Sequence, residues 1–369
     1  MAYEVDFIGI SEETKDADAI AMRWKTATGG YKIGVYDGGI QAYGVELQNL
    51  LNSYYFGVDE YPKVIDFVVV SHSDQDHTTG LKTILENYTV KALYMNRPWL
   101  YTKDLIKNKN HGNITENSLE RRLKEQYKYI AELEEIAEVK GIPIYEAFQG
   151  QTIEEKLTVL SPTKELYLDL VIESDKTPLE DRTDSINESF SWLSKSFRTF
   201  AKYVKTLIES WFEEELKENV ETSAENEMSV VLLGEMDEEN FLLTGDVGIR
   251  GLDAAIAYSE GIGKEIINTV DFLQIPHHGG RHNVSPSILN RLIGCTVAEG
   301  TQTGKIAFVS AGKNSDHPLQ MVVNAFIRRG VKVYKTDGQT IHHQRGTMPE
   351  RSGWTKLSTL NFEENVEEW

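Results

Sequence analysis

Four side chains that can bind a cation lie in the six-residue segment that begins at His72 and ends at His77. His72, Asp74, Asp76 and His77 directly follow the apolar run Val64–Val70, which is typical of a strand buried on both faces. Mixed imidazole and carboxylate ligands suit zinc, manganese or iron better than calcium or magnesium. A polar turn with solvated acids is the simpler alternative, but two carboxylates beside a buried strand are costly without positive charge nearby. The segment therefore predicts a metal site.

Two later segments place the same residue types at the ends of apolar runs. Asp246 ends the run that begins at Phe241, and His277 and His278 end the run that begins at Phe272. Taken alone, an aspartate in this position is usually a turn residue, and the histidine pair is equally compatible with a structural role. Together with the first cluster, the three residues form a set that can converge on the same metal site.

Short apolar runs alternate with helical patterns, which indicates an α/β fold built in layers. Besides Val64–Val70, the predicted strands are Val5–Ile10, Ala19–Arg23, Tyr31–Tyr36, Ala92–Tyr94, Leu157–Leu160, Ser229–Leu233, Phe241–Thr244, Phe272–Ile275, Ile306–Ser310 and Val331–Lys335. From Ile186 to Trp211, apolar residues recur in alternating steps of four and three, which predicts one long helix over 186–211 with a coiled-coil-like seam. The simplest arrangement folds this seam back on the domain. The alternative is a homodimer or a protein partner that docks on the helix.

Composition excludes several classes of function. The chain has 38 Lys and Arg against 58 Asp and Glu, a net charge of −20, which argues against broad binding to nucleic acid or anionic membranes. The single cysteine, Cys295, excludes a disulfide framework within the chain and a cysteine-rich zinc site. No apolar run approaches the roughly 18–20 residues that span a bilayer, and the acidic beginning lacks the layout of a secretory signal. We therefore expect a cytoplasmic protein without membrane insertion.

The motif HSDQDH resembles the HxDxDH form of the metallo-β-lactamase superfamily signature. The downstream strings LTVLSP, NEMSVVLL, FLLTGD, LQIPHHGG, SAGKNSDHP and VKVYKTDGQTI are similar, in this order, to the extracytoplasmic hydrolase domain of the DNA-uptake channel family (ComEC type) and its stand-alone soluble relatives. The opening strings VDFIGI, DADAIAMRW and YKIGVYDGG fit the same domain. The resemblance implies a four-layer αββα sandwich with a metal centre along one edge of the two sheets. It covers residues 1–369 as one domain, apart from an expected helical insertion at 163–225.

The resemblance also implies two divalent metal ions, Mn²⁺ or Zn²⁺. His72 and Asp74 match ligands of one ion, and Asp76 and His77 match ligands of the second. Asp246 resembles the carboxylate that bridges the two ions.

One of His277 and His278 is expected to complete the second site, and the sequence leaves both open. Asp37, in the YDGG turn, matches an aspartate that supports the ligand loop rather than binding metal. The chain departs from the fuller superfamily pattern because no histidine lies between His111 and His277, so the usual middle histidine ligand is absent. With Asp74 in place of a histidine, the first site becomes harder and favours manganese over zinc.

Two ions of this kind activate water for hydrolysis, and Asp74 or Asp76 is the candidate that orients this water. His317, in NSDHPL, resembles a family position near the site, where it would protonate a leaving oxygen or hold phosphate. The alternative is a structural histidine before a proline turn.

Three further residues are candidates for binding a substrate phosphate. Lys313 and Asn314 lie in a predicted strand-end loop whose backbone N–H groups could form an anion-binding nest. Arg281 follows the HHGG turn. For the two charged residues, Lys313 and Arg281, an ordinary solvent-exposed position on the surface is an equally good explanation.

The leading hypothesis is a metal-dependent phosphodiesterase or nuclease that acts on nucleic acid or an oligonucleotide-like molecule. Because the chain is acidic, a short, single-stranded or cyclic substrate fits better than long duplex DNA. A second hypothesis keeps the metals but makes the substrate a carboxylic ester, lactone or thioester, since a fold does not fix its substrate. A third is a non-catalytic interaction module of a multiprotein system, which the predicted helix over 186–211 motivates.

Overall fold

The computed structural model describes residues 2–11, 13–57, 60–109, 114–177, 206–237 and 239–369. Within these residues, two seven-stranded sheets lie face to face around a shared apolar core. Helices pack on the outer face of each sheet and enclose two further apolar cores. This arrangement confirms the expected αββα sandwich.

The bounds of the elements follow in chain order. The strands are β1 (Tyr3–Phe7), β2 (Ala19–Lys25), β3 (Tyr31–Gly38), β4 (Val64–Ile65), β5 (Phe67–Val69), β6 (Thr89–Val90), β7 (Leu93–Tyr94), β8 (Ile144–Tyr145), β9 (Thr152–Ile153), β10 (Leu157–Ser161), β11 (Thr206–Ile208), β12 (Val231–Glu235), β13 (Asn240–Leu243), β14 (Val270–Gln274), β15 (Ile306–Val309), β16 (Lys332–Lys335), β17 (Ile341–Arg345) and β18 (Asn365–Glu367). The α-helices are α1 (Gln41–Leu50), α2 (Gln75–Thr78), α3 (Leu81–Asn87), α4 (Thr102–Lys109), α5 (Glu116–Gln126), α6 (Lys128–Lys140), α7 (Lys164–Glu173), α8 (Ala224–Glu227), α9 (Ile249–Gly261), α10 (Ile266–Thr269), α11 (Pro286–Leu292) and α12 (Gln320–Arg328). Short helices of other types span Leu51–Tyr55, Pro98–Tyr101 and His277–Gly279.

Both large sheets contain a parallel half. The strand order of the first sheet is β17-β1-β2-β3-β5-β7-β8, and its last four strands pair in parallel. The order of the second sheet is β16-β15-β14-β13-β12-β10-β9, and its first four strands pair in parallel. Because the carboxyl ends of parallel strands lie at one edge of a sheet, the loops that follow them gather there.

The alternation of side chains along a strand explains why the sheets have two buried faces. In β2, Ile20, Met22 and Trp24 belong to the core between the sheets, whereas Ala19 and Ala21 belong to the core under the helices. The small alanines on the outer face let the helices approach closely. The sandwich therefore holds the strand ends, and the loops attached to them, in fixed positions.

The structure corrects the prediction of one continuous strand over Val64–Val70. The chain forms two short strands there, β4 and β5, which belong to different sheets and are separated by Asp66. The Asp66 carboxylate accepts a hydrogen bond from the Ile33 backbone N–H at 2.9 Å and pairs with Lys91 at 2.7 Å. A nearly continuous apolar run conceals such a turn because its one polar residue is also compatible with a strand. The other predicted strands are confirmed, with ends that differ by no more than three residues.

The predicted helix over 186–211 falls largely outside the described residues, which resume at 206. Its last part is wrong, because Thr206–Ile208 forms β11 and pairs with β18. Glu209, which follows, is buried and accepts hydrogen bonds from Arg328 Nη1 at 2.8 Å and Asn324 Nδ2 at 2.6 Å. These distant partners fix an extended backbone that the local periodicity does not reveal.

The sequence also did not predict β17, which completes the first sheet beside β1. Its His343 lies in the core between the sheets, where the ring stacks on Phe272 with centroids 4.4 Å apart. His343 Nε2 lies 2.7 Å from Glu239 Oε2, which also accepts a hydrogen bond from the Tyr3 hydroxyl. Because polar residues of β17 are buried against polar partners, hydrophobicity alone does not reveal this strand.

A buried ion-pair network ties the segment after β17 to the outer face of β1. Arg351 donates to both carboxylate oxygens of Asp6, at 2.6 and 2.8 Å, and lies 2.9 Å from Glu4 Oε1. Arg23 Nε donates to Glu4 Oε1 at 2.6 Å, and the Tyr55 hydroxyl donates to Asp6 Oδ2 at 2.7 Å. Removing one member of such a network leaves an opposite charge buried without its partner.

We predict that Arg351→Ala lowers the free energy of unfolding by about 3–5 kcal/mol, because two buried carboxylates lose a shared cation. Equilibrium unfolding in urea measures this change. Arg121→Ala is the control, since Arg121 forms only an exposed pair with Glu125 and its removal is expected to cost less than about 1 kcal/mol. Equal losses in the two variants would contradict the prediction.

The pKa of the Asp6 carboxyl also makes the free energy of unfolding depend on pH. Burial raises the pKa of its carboxyl, but His342 and Arg351 outweigh burial and hold the pKa below its usual value. A depressed native pKa gives stability that is fully present above the pKa of the unfolded aspartate, about 3.9, and is lost as the pH falls through the lower native value. The difference in unfolding free energy between the protein and Asp6→Asn is therefore expected to shrink below about pH 4. Denaturant titrations at a series of pH values test this, and a difference that widens on acidification would refute it.

Candidate metal centre

Loops from both sheets meet at one edge of the sandwich. The segment His72–His77 follows β5 in the first sheet, and its Asp74 directly precedes α2. In the second sheet, Asp246 follows β13 and His277–Gly279 follows β14. The structure thereby brings together all seven residues predicted as metal ligands, which contact one another through the pairs His72–Asp74, His72–Asp246, His77–Asp246, His277–Asp246 and His278–Asp76.

Asp246 lies between two groups of histidines. Its Oδ2 lies 3.9 Å from His72 Nε2 and 3.7 Å from His277 Nε2. Its Oδ1 lies 3.3 Å from His77 Nε2. Each carboxylate oxygen therefore faces a different set of side chains, as a carboxylate shared between two cations requires.

The predicted acids of the ligand loop lie on different sides. Asp74 Oδ2 is 3.9 Å from His72 Nε2, whereas Asp76 Oδ2 is 3.7 Å from His278 Nε2. His278 is buried and packs with its ring 5.9 Å from that of His77. The two histidines of the HHGG turn thus point to different groups, His277 toward the side of His72 and His278 toward the side of Asp76.

All four histidines use Nδ1 to contact polar groups of the protein. The nearest partners are the Ser71 hydroxyl for His72 at 3.0 Å, Asp37 Oδ2 for His77 at 2.8 Å, Asn283 Oδ1 for His277 at 2.8 Å and the Ser310 carbonyl for His278 at 3.1 Å. The Asp37 and Ser310 oxygens only accept, so Nδ1 of His77 and His278 carries the proton and Nε2 is available as a ligand, whereas His277 Nδ1 contacts both Asn283 Oδ1 and, at 3.2 Å, Asn226 Nδ2. Such contacts orient metal-binding histidines.

The site fits a divalent cation because it contains buried polar atoms without hydrogen-bond partners among the described residues. These atoms are Nε2 of His72, His77 and His278, Oδ1 of Asp246 and both carboxylate oxygens of Asp18. Each buried polar atom without a partner costs about 1–3 kcal/mol. A cation bound between them would satisfy imidazole and carboxylate donors at once, and the donor set suits zinc, manganese or iron.

The pKa values of these groups show strong electrostatic coupling. Burial lowers the pKa of His278, but Asp18 and Asp76 outweigh burial and raise it to about 10. Burial also lowers the pKa of His77, and Asp246 and Asp37 raise it well above its usual value. Burial raises the pKa of Asp246, but His77 and His277 depress it well below its usual value. Positive charge placed among these side chains is therefore strongly favoured.

Asp18 belongs to the cluster although the sequence did not single it out. It precedes β2 and is 1% exposed, and its Oδ2 lies 4.0 Å from Nδ1 of both His77 and His278. Its backbone N–H donates to the Asp76 carbonyl at 3.1 Å. Asp18, His77, Asp246 and His278 each offer a ligand atom, and these atoms all lie within 4.8 Å of one another. The only signal was its place in the string DADAIAMRW, which does not distinguish it from neighbouring acids.

Asp37 supports the ligand loop. Its Oδ1 accepts the Ser71 backbone N–H at 2.7 Å, and its Oδ2 accepts the Ser71 hydroxyl at 2.5 Å and His77 Nδ1 at 2.8 Å. Asp37 is the last but one residue of β3, and its backbone φ of 57° lies in the left-handed region. The carboxylate thus fixes residues at both ends of the loop, in the position that the resemblance implied.

His317 pairs with an aspartate that the sequence did not predict. Its Nδ1 donates to Asp16 Oδ2 at 2.8 Å, and its ring lies 6.5 Å from that of His277. Asp16 also accepts hydrogen bonds from the Gly312 backbone N–H at 2.7 Å and the Ser315 hydroxyl at 2.9 Å. Burial raises the pKa of Asp16, but His317 and these donors outweigh it and lower the pKa to about 2.

The predicted phosphate-binding residues lie elsewhere in this region. Lys313 and Asn314 are exposed. The expectation of an anion-binding backbone nest is corrected here. The N–H groups of residues 311–313 already donate to Thr336 Oγ1, Asp16 Oδ1 and the Glu13 carbonyl. Arg281 donates to the Glu368 carbonyl at 2.5 Å and lies over the Trp369 ring at 5.0 Å. A phosphate at Lys313 would therefore have to use the side chain, and one at Arg281 would have to replace these contacts.

Lys176 is a third charged residue that the sequence did not single out, after Asp18 and Asp16. It follows α7, and its Nζ lies 2.7 Å from Asp74 Oδ1. No motif surrounds it, and it is separated from Asp74 by a hundred residues of sequence. The contact adds a cation to the side of the cluster that contains His72.

We predict that Asp246→Ala loses most of the bound metal, because Asp246 faces both groups of histidines. The protein loaded with manganese or zinc is expected to retain about two ions per chain after dialysis. Elemental analysis measures the content of both proteins. Asp253→Ala is the control, because Asp253 is an exposed residue of α9 that pairs with Arg291. Full metal content in Asp246→Ala would remove Asp246 from the centre.

None of the helices described here has the length and apolar character needed to cross a membrane.

No protein-family model matches the sequence, and no curated protein is significantly similar to it. Among solved structures, a long-form RNase Z from yeast is 9% identical with a TM-score of 0.36, and the match covers 92% of this chain but only 41% of that protein. Zn²⁺-bound PqqB from Methylobacterium extorquens is 12% identical with a TM-score of 0.37, over 92% of this chain and 99% of PqqB. AbOPH, described as a hydrolase of the beta-lactamase superfamily, is 9% identical with a TM-score of 0.32, over 77% of this chain and 88% of AbOPH. These likenesses are weak, and the candidate centre rests on the contacts within this chain.

Proposed function

We propose that this protein is a hydrolase that depends on two divalent cations and cleaves phosphodiester bonds in nucleic acid or an oligonucleotide-like molecule. The observation that carries the proposal is the set of buried, partnerless nitrogen and oxygen atoms on the two sides of Asp246. Two groups of ligand atoms that share one carboxylate are an arrangement that suits hydrolysis at a dinuclear centre.

In this proposal, His72, Asp74 and His277 hold the first cation. The approach of His277 and His72 to the same oxygen of Asp246 supports this grouping. His277 then takes the place of the middle histidine that the sequence lacks. With two imidazoles, the first site suits zinc as well as manganese, which removes the sequence-based preference for manganese.

Asp76, His77 and His278 hold the second cation in this proposal, and Asp246 is shared. The contact of His278 with Asp76 supports the assignment of His278 to this side. Asp18 lies against the same group and adds a fourth carboxylate to the centre.

A pair of divalent cations supplies activation of a water molecule and neutralisation of negative charge on the attacked group. The protein's own residues orient the reactants. Burial raises the pKa of Asp76, but His278 and His77 outweigh it and hold the pKa below its usual range, so its carboxylate is ionised and can orient a water molecule by accepting a hydrogen bond from it. Asp74 is the corresponding acceptor on the other side, and its side chain is partly open to solvent.

His317 is the candidate that protonates the leaving oxygen. Asp16 accepts the Nδ1 proton, which fixes the ring and leaves Nε2 for the substrate. The side chain of His317 is 33% exposed, so a substrate can reach it. An alkoxide leaving from a phosphodiester needs such a proton, and so does one leaving from an alkyl ester or lactone, so a general acid here disfavours only a thioester, whose thiolate leaves without a proton.

The resemblance to the hydrolase domain of the DNA-uptake family supports a nucleic-acid substrate. The net charge of −20 favours a short, single-stranded or cyclic molecule over long duplex DNA.

We predict that His317→Gln lowers kcat for bis-p-nitrophenyl phosphate less than for a dinucleotide, because p-nitrophenolate leaves without a proton. For the dinucleotide, loss of a general acid is expected to lower kcat by about 10²-fold or more. Asp16→Asn is also expected to lower kcat for the dinucleotide more than for bis-p-nitrophenyl phosphate, since Asp16 acts through His317. Asp316→Asn, on the neighbouring exposed residue, is the control.

The unaltered protein separates the alternative functions in the same assay. Hydrolysis of simple esters or lactones that exceeds hydrolysis of both phosphodiesters would replace the proposed substrate class. A metal-loaded protein that leaves linear and cyclic nucleotides and esters intact would favour the non-catalytic interaction module.

A further inference from the structure

We propose that Lys176 binds the anionic group of the substrate at the rim of the candidate metal centre, an inference that rests on the proposed function. The lysine belongs to the segment 163–225, which we take as an insertion in the domain. In this proposal, the insertion supplies part of the active site and selects substrates with negative charge beside the scissile bond.

The position of the ammonium group carries the inference. Lys176 Nζ lies 2.7 Å from Asp74 Oδ1 and 4.0 Å from Glu225 Oε1. The side chains of Lys176 and Asp74 are 41% and 32% exposed, so the pair lies where the cluster opens to solvent. A substrate that approaches His72 and Asp74 from solvent therefore meets Lys176.

The backbone around Lys176 is fixed by buried groups. The Ser174 hydroxyl donates to Glu225 Oε1 and accepts the Lys176 backbone N–H at 3.0 Å. The next residue, Thr177, contacts the hydroxyl of the buried Tyr127 through its own hydroxyl at 3.2 Å. A lysine that only solubilises the surface needs no such support, whereas one that binds a ligand gains from a fixed position.

Asp74 links Lys176 to the metal ligands. One of its oxygens faces His72 at 3.9 Å, and the other faces Lys176. Asp74 therefore holds the Lys176 ammonium group beside the metal ligands rather than among them. Lysine is a compact point charge that suits phosphate oxygens, and its contact with an anion is a charge-assisted hydrogen bond.

A count of formal charges explains why a further cation is needed. The carboxylates of Asp18, Asp74, Asp76 and Asp246 alone, when ionised, balance the charge of two divalent cations, and Asp37 and Glu225 add further negative charge beside them. A phosphodiester adds one more negative charge to a set that has no excess of positive charge. Lys176 supplies the positive charge that is otherwise missing, and a neutral ester would gain nothing from it.

The experiment compares Lys176→Met, which keeps most of the aliphatic stem, with Lys176→Arg, which keeps the charge. Lys164→Ala is the matched control, because Lys164 lies in the same segment and its ammonium group contacts Asp104 and the Tyr101 ring rather than a residue of the candidate centre. Each protein is loaded with manganese, its metal content is determined by elemental analysis, and its affinity for inorganic phosphate is measured by calorimetry. KM and kcat are then measured for bis-p-nitrophenyl phosphate and for p-nitrophenyl acetate.

We expect Lys176→Met to bind phosphate about tenfold or more weakly and to show a KM for the phosphodiester raised by a similar factor, as for the loss of one charge-assisted hydrogen bond. Lys176→Arg is expected to restore most of the phosphate affinity. Metal content, kcat and the kinetics with the neutral ester are expected to change little, and Lys164→Ala is expected to behave like the unaltered protein.

Two results would overturn the proposal. One is loss of metal from Lys176→Met with unchanged phosphate affinity of the loaded fraction, which would make Lys176 only a counter-ion of Asp74. The other is phosphate binding that does not depend on Lys176. If the protein hydrolyses no phosphodiester but its phosphate affinity still depends on Lys176, the anion site is supported and the proposed function alone fails.

Discussion

The candidate centre depends on the requirement that a charge removed from water must have a partner. Asp18, Asp246, His77 and His278 are all buried at the edge where the two sheets meet. Hydrogen bonds fix the outer side of each histidine, so the remaining nitrogen has little freedom to find another partner. The loops are rigid because they leave the ends of strands whose apolar faces pack against the opposite sheet. The apolar core thus holds polar atoms in positions where a cation is the best partner.

The same requirement shapes the rest of this acidic protein. Arg351 occupies a buried position between Asp6 and Glu4, and Arg328 occupies one beside Glu209. Through these contacts, segments distant in sequence attach to β1 and to α12. In the candidate centre, no arginine takes the corresponding place among the contacts described for Asp246. An arginine side chain therefore balances the carboxylates of these two networks, whereas the carboxylates at the edge of the sandwich face histidines in a candidate cation site.

The sequence was sufficient where chemistry and local pattern coincide. The cluster from His72 to His77, Asp246 and the HHGG pair each follow an apolar run, and strand ends at one edge brought them together as expected. Asp18, Asp16 and Lys176 were missed because their partners lie far away in the chain and no spacing marks them. The turn at Asp66, strand β17 and strand β11 were missed for a related reason, since buried polar contacts override what hydrophobicity alone predicts.

The distribution of charge links the centre to the size of its substrate. Surface charge on a chain of net charge −20 repels a long polyanion over distances of about a Debye length, roughly 8–10 Å at physiological salt. Attraction must then come from the few positive charges at the site, and Lys176 lies at its rim whereas Arg281 is engaged by the C-terminal residues. If the proposed function holds, such a site would bind the phosphate beside the scissile bond and would gain little from further phosphates. A short oligonucleotide therefore loses little binding free energy relative to a long one, while avoiding most of the repulsion, and it is the substrate class that this charge distribution favours.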